Sequence, residues 1–259
     1  MPELPEVETL CRQLSTVIVG RKILAFRVLD AKLGAAPDVI DCRVKDIVRR
    51  GKEIQIVLNS GMALRIHLRM SGKLFWQTGE PLALPYSRFI VTFDVGRLIL
   101  LDPRRFATLS YGSYAPAIEL QNLPFQETDI SRIIAIAQKR RVAVKTFLLD
   151  QTIMTGIGNI YACEILHAAA IDPERRACDL STVEWQSIVN VTTPILTKAI
   201  EARGTTVSDW RDLFGREGEN QHYLKVYARE GKPCMRCSGT VARIKQNGRG
   251  TYYCPSCQK

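Results

Sequence analysis

Two stretches of the sequence hold residue types that could do chemistry: the first ten residues and the last 26. The chain opens "MPELPEVETL", with Pro2 directly after the initiator methionine. A small residue at position two allows Met1 to be removed, which leaves Pro2 as a free secondary amine. An α-amino group has the lowest reference pKa of the protein amines, about 7.7–8.0. Part of it is therefore unprotonated near neutral pH, as an amine nucleophile must be. The alternative is an ordinary frayed end with no chemical role. At the other end, "CMRC" and "CPSC" place Cys234, Cys237, Cys254 and Cys257 in a C-x2-C-x16-C-x2-C arrangement. Two close pairs about 15–20 residues apart are what a closed tetrahedral Zn²⁺ site needs. Disulfides and free thiols are the alternatives, and a reducing cytosol disfavours the first. No histidine or open ligand position accompanies the four thiolates, so one structural zinc is expected. Asn247-Gly248, between the pairs, signals a hairpin. Lys232, Arg236, Arg243, Lys245 and Arg249 surround a site whose net charge is −2, which suits the hairpin to a phosphate backbone.

Composition narrows the partners. Lys plus Arg number 36 against 26 Asp plus Glu, a formal charge of +10. That excess favours a polyanion, nucleic acid first and an anionic membrane surface second. No apolar run approaches the ~20 residues of a membrane span. Charges begin at Glu3, unlike a signal peptide, so a cytoplasmic protein is expected. The other four cysteines, Cys11, Cys42, Cys163 and Cys178, are scattered and read as reduced thiols.

The elements that must position these residues fall into two textures. Pro5 suits a first helical turn, and Val7, Leu10, Cys11 and Leu14 then recur at helical spacing. Short β-branched runs follow: "KILAFRVLD", "EIQIVLN", "MALRIHLRM", "KLFWQ", "RFIVTFD" and "RLILLD". They predict an antiparallel sandwich or barrel. From about Ile130 the stretches lengthen and become helical. The expected fold class is α+β, divided into a β-sandwich domain with an N-terminal helix (1–116), a linker (117–129), a helical domain (130–228) and a zinc hairpin (229–259). Within the helical part, "GIGN" is a glycine turn before a helix, a place where backbone N–H groups can meet a phosphate. "KRRVAVK" lies just upstream.

Taken together, "PELPEVET", "RRGKE", "HLRMSG", "DPRRF", "GIGNIYA", "GTT" and the terminal cysteine hairpin resemble bacterial formamidopyrimidine-DNA glycosylases of the helix–two-turn–helix superfamily. The resemblance runs from Pro2 to Lys259. It implies a bifunctional DNA glycosylase and AP lyase of base excision repair, a monomer acting on oxidised purines in damaged double-stranded DNA, with no membrane partner. By resemblance Pro2 is the nucleophile, Glu3 the catalytic carboxylate, Lys52 the catalytic lysine, and Arg249 the hairpin arginine that holds phosphate during strand cleavage. Glu6, one helical turn on, is expected to orient Glu3 or the amine. Met70, Arg104 and Phe106 match the side chains that fill the space left by the extruded nucleotide. Lys145, Arg140 and Asn159 match backbone-phosphate contacts.

Several positions depart from the family pattern. Tyr86 is nearest to a place where many members have a DNA-contacting histidine. Arg69 replaces a common glycine in "HLRMSG", and "VKTFLLD" stands for the usual "IKPWLMD". "FGREGENQHYLKVY", matching the variable loop over the extruded base, is divergent and leaves the lesion preference open. Two rival readings are an endonuclease VIII-like enzyme for oxidised pyrimidines and a non-catalytic zinc-hairpin DNA-binding protein. Leu4 and the Met70–Arg104–Phe106 set disfavour the first. Joint retention of Pro2, Glu3 and Lys52 disfavours the second.

Overall fold

The computed structural model describes residues 1–80, 84–115 and 127–259. The described residues divide into two compact units, Met1–Ala117 with Ala202–Gln221, and Ile118–Glu201 with His222–Lys259. The expected linker, 117–129, lies outside the described residues as far as 126, and a helix begins at Glu127.

In the first unit, α1 (Leu4–Ile18) is followed by eight strands: β1 (Ile23–Val28), β2 (Val44–Arg50), β3 (Glu53–Leu58), β4 (Met62–His67), β5 (Lys73–Gln77), β6 (Ser87–Phe93), β7 (Gly96–Leu101) and β8 (Thr108–Ser113). They form two four-stranded sheets, ordered β1-β6-β7-β5 and β2-β3-β4-β8, with every pairing antiparallel. Alternation decides which faces meet. Leu64 and Ile66 of β4 point inward, as do Phe89, Val91 and Phe93 of β6. The apolar stripe of α1 (Val7, Leu10, Leu14 and Ile18) joins the same core. The expected β-sandwich with an N-terminal helix is therefore the observed architecture.

The return segment 202–221 completes this core. Trp210 and Leu213 enter the sandwich cluster, and burying each such side chain stabilises by about 1.5–3 kcal/mol. Gln13 of α1 donates to Asp212 Oδ2 at 2.8 Å and accepts the Leu213 N–H at 2.9 Å. The Trp76 N–H donates to the Leu213 carbonyl at 2.9 Å.

The second unit contains α2 (Glu127–Ala137), α3 (Val144–Leu148), α4 (Asn159–Ala169), α5 (Thr182–Glu201) and the hairpin β9 (Ala242–Gln246)–β10 (Arg249–Tyr253). Trp185 of α5 is fully buried, edge-on to Phe147 of α3 at 5.0 Å, with its indole N–H on the Ala177 carbonyl at 3.2 Å. Glu164 of α4 accepts three consecutive backbone N–H groups, from Lys225, Val226 and Tyr227, at 2.8–3.0 Å. That carboxylate anchors the chain just before the cysteine knuckles. Among the described residues, no helix is long and apolar enough to cross a membrane.

Candidate active site and metal centre

The chain is held from residue 3 onward. Glu3 caps α1, and Glu3 and Glu6 form a reciprocal capping box in which the Glu3 N–H donates to Glu6 Oε2 at 2.8 Å. The other Glu6 oxygen, Oε1, accepts the Thr205 N–H at 2.7 Å. Both carboxylates are buried, Glu3 at 3 % and Glu6 at 2 % exposure. Glu6 thus ties the start of the chain to the "GTT" of the return segment. Gly204 has φ +79°, and a Cβ there would lie 2.8 Å from Glu6 Cγ and Oε1. Only glycine lets the backbone pass so close to that carboxylate. Pro2, half-buried, stands one residue before this clamp.

Lys52 comes from a two-residue turn. Arg50 pairs with Glu53 across β2 and β3, leaving Gly51-Lys52 as the loop, with Gly51 at φ 60°. A positive φ at the first central position is what a type II′ hairpin turn demands. Arg49 Nε pairs with Glu8 Oε2 at 2.9 Å, docking the hairpin on α1. Lys52 itself is buried, at 6 % exposure. Burial first, then the charges of Arg69 and Lys52, push the His67 imidazole down to about 4. His67 is therefore neutral at pH 7, with Nδ1 accepting the Arg69 N–H at 3.0 Å.

Two exposed turns present the expected wedge residues. Met70 is 51 % and Phe106 41 % exposed, which leaves both side chains available to a partner. The Arg104 guanidinium lies over the Phe106 ring at 4.7 Å. One buried carboxylate links the turns. Asp102 accepts from Ser71 Oγ at 2.5 Å, next to Met70, and from the Ala107 N–H at 2.7 Å, next to Phe106. Arg88 Nη1 approaches it at 3.4 Å, and Arg88 Nε pairs with Asp30 at 2.5 Å. Asp30 in turn holds Arg105 by two bonds, at 2.6 and 2.7 Å. The Arg105 bonds first, then the Lys32 N–H, keep the Asp30 carboxyl well below the usual carboxylate range. Tyr86, 65 % exposed at φ 64°, projects nearby along the cavity that Asp30, Arg88 and Arg105 line.

In the second unit Arg249 is exposed at the first position of β10, immediately after Asn247-Gly248. Both turn residues have positive φ, 49° and 77°, the signature of a type I′ turn, as the sequence predicts. Arg140 is exposed just after α2. Lys145, expected at a backbone phosphate, lies in the short helix α3. It is 1 % exposed, and its ammonium donates to Thr251 Oγ1 at 2.6 Å and approaches the Gly250 carbonyl at 3.5 Å. Asn159, first residue of α4, likewise donates Nδ2–H to the Gly250 carbonyl at 2.9 Å. Both side chains converge on the strand directly beyond Arg249.

The four cysteine Sγ atoms of the knuckles all lie within 4.8 Å of one another. Cys234–Cys257 and Cys237–Cys254 are separated by 3.9 and 3.5 Å. A tetrahedron with Zn–S bonds of ~2.3 Å has S···S edges of about 3.8 Å, so the cage has the size of one Zn²⁺. Four thiolates close the coordination sphere and make the metal structural. Sequence reasoning did not single out Asp102, Thr205 or His167. The first two stand inside "DPRRF" and "GTT", but nothing in those strings shows which backbone groups they engage.

Three family models match in succession: the formamidopyrimidine-DNA glycosylase N-terminal domain over residues 1–109, the H2TH domain of the same proteins over 122–210, and the zinc finger found in FPG and IleRS over 231–259. The formamidopyrimidine-DNA glycosylase of Pelotomaculum thermopropionicum is 38 % identical, over 100 % of this chain and 99 % of its own. A Lactococcus lactis FPG mutant, solved in complex with Fapy-dG-containing DNA, superposes with a TM-score of 0.89 at 31 % identity, covering 100 % of both chains. MutM in complex with DNA containing carbocyclic 8-oxo-G gives 0.87 at 31 % identity, again over 100 % of both. With the three domain models matched in order and the four-cysteine cage at the end of the chain, the chain belongs to the formamidopyrimidine-DNA glycosylase family.

Proposed function

We propose that the chain is a bifunctional DNA glycosylase and AP lyase of base excision repair, cytoplasmic and nucleoid-associated, which acts as a monomer on oxidised purines in duplex DNA. Removal of Met1 frees the Pro2 amine. Its lone pair attacks C1′ of the lesion nucleotide, the glycosidic bond breaks, and the base leaves with its bonding electrons and a proton. Loss of the amine proton and opening of the sugar give an iminium between Pro2 and C1′. The positive nitrogen acidifies the C2′ proton. Its removal expels the 3′ phosphate, and a second elimination expels the 5′ phosphate. Hydrolysis of the iminium returns the amine.

Glu3 is assigned to proton transfer at the opening sugar, Lys52 to the nucleotide beside it, and Arg249 to the phosphate at the cleaved strand. Glu6 acts as a positioning residue, because both its oxygens already hold backbone N–H groups. Lys145 and Asn159 are assigned to the DNA backbone phosphate, and their contacts with the Gly250 carbonyl keep them beside Arg249. Met70, Arg104 and Phe106 fill the space vacated by the lesion, offsetting part of the few kcal/mol that unstacking costs. Tyr86 and Arg140 are exposed for contacts along the DNA.

The observation that carries this reading is the clamped N-terminus. A nucleophile needs a fixed approach, and residue 3 is bonded and buried. The test is borohydride reduction in the presence of an 8-oxoguanine duplex. A protein–DNA adduct whose labelled peptide begins at Pro2 is expected, and an adduct on a lysine overturns the assignment.

A further inference from the structure

One buried side chain beside the metal cage belongs to none of the roles above. His167 lies in the last turn of α4, is 4 % exposed, and places Nε2 3.3 Å from Cys234 Sγ. Cys234 is itself buried at 3 % exposure, so its charge as a zinc thiolate is poorly compensated by water. It receives the Arg236 backbone N–H at 3.4 Å. The Arg236 guanidinium then reaches back to the His167 and Ala168 carbonyls at 3.1 and 3.3 Å, closing the C-terminal end of the same helix. A neutral imidazole carries one N–H and one bare nitrogen, and a metal-bound thiolate can only accept. Contact between Nε2 and Sγ therefore requires the proton on Nε2.

We propose that His167 is an outer-sphere residue of the zinc site, donating its Nε2–H to the Cys234 thiolate and thereby keying helix α4 to the metal. The helix then grips the zinc hairpin at both ends. Asn159 bonds the Gly250 carbonyl at its start, and His167 bonds Cys234 eight residues on, about 12 Å along the axis. Zinc retention and the placement of the "GIGN" turn become one property. Removing the donor leaves the thiolate more basic and short of one hydrogen bond, and loses the orientation of the ligand.

The experiment uses the full zinc-loaded chain in wild type, His167→Phe, which fills the volume without a donor, and His167→Gln, which keeps an N–H. Zinc transfer to a chromophoric chelator is expected to show about 10-fold weaker retention in the Phe variant, at the low end of outer-sphere effects, with partial rescue in Gln. In the Co²⁺-substituted protein the thiolate-to-metal charge-transfer band should move to longer wavelength in Phe, because a hydrogen bond lowers the energy of the sulfur lone pairs. A folded Phe variant with unchanged retention and an unchanged band overturns the proposal. Should that variant fail to fold, ¹⁵N spectra of the wild type decide the matter, since the chain has 3 histidines. An Nε2–H tautomer coupled to ¹¹³Cd through sulfur supports the bond. A bare Nε2 overturns it.

Discussion

Asp102→Asn tests whether one buried carboxylate sets the geometry of the two exposed turns. Asp102 is 0 % exposed and faces three donors: Ser71 Oγ, the Ala107 N–H and Arg88 Nη1. Asparagine has the same shape, but one of its two ends becomes a donor. Turned toward Ala107, the new NH₂ meets an N–H, and both are buried without an acceptor. Turned toward Ser71, it forces the hydroxyl to reverse and accept. Either way Arg88, 2 % exposed, keeps Asp30 and loses its second anion. An unsatisfied buried polar group costs about 1–3 kcal/mol. Severing a buried ion pair outright costs about 3–5 kcal/mol, an upper bound here because Asp30 remains. The expected destabilisation is therefore about 2–3 kcal/mol. Urea unfolding measures it, and excision of 8-oxoguanine opposite C and opposite A measures its effect on the wedge. The C-over-A ratio should fall toward that of Arg104→Ala while zinc content stays constant. Stability within about 0.5 kcal/mol of wild type, the range of a bland surface change, would refute the reasoning. An unchanged ratio in a clearly destabilised variant would refute its link to the wedge.

Retaining Met1, which makes the Pro2 nitrogen an amide, should abolish borohydride trapping while leaving lesion binding largely intact; trapping at wild-type yield contradicts the nucleophile assignment. Arg104→Ala should narrow the preference for lesion·C over lesion·A by about 5- to 150-fold, because arginine donates to the O2 and N3 of an orphaned cytosine and is repelled by the N6–H₂ of adenine. Equal slowing of both substrates would instead mark Arg104 as a phosphate contact. Cys254→Ser should lower both zinc content and DNA affinity, since structural zinc contributes directly to folding. Arg249→Ala should retain zinc and lose mainly strand cleavage, and full activity in a folded, zinc-free preparation would overturn that division of labour.

The sandwich and the cage were legible in the sequence for different reasons. Strands β3, β4, β6 and β7 announce themselves because their buried positions are filled by short runs rich in Ile, Leu, Val and Phe. Strands β2 and β8 did not. Val44–Arg50 carries Lys45, Asp46, Arg49 and Arg50, and Thr108–Ser113 is largely exposed, as the outer strands of a sheet can be. The knuckle cysteines are readable because metal ligation fixes local spacing. Glu6 with Thr205 is not, since their hydrogen bond spans 199 positions and leaves no periodic trace. Lys145 shows the converse difficulty. A lysine in a basic run resembles a surface charge until Thr251, 106 positions on, is seen to hold it.

The return of residues Ala202–Gln221 to the first unit has a consequence for how the chain is made. The sandwich is not finished when its last strand leaves the ribosome, because Gln13, Trp76 and Glu6 still lack Asp212, Leu213 and Thr205. At about 5–20 residues per second, the roughly 100 residues between strand β8 and the end of that segment take about 5–20 s to appear. During that interval the half-built core exposes the groove that Trp210 and Leu213 will fill. A fragment ending near residue 116 should stay in that state permanently, partly ordered, aggregation-prone and dependent on chaperones. Supplying Ala202–Gln221 in cis, through a short linker, should restore cooperative unfolding, as a circularly rearranged sandwich would.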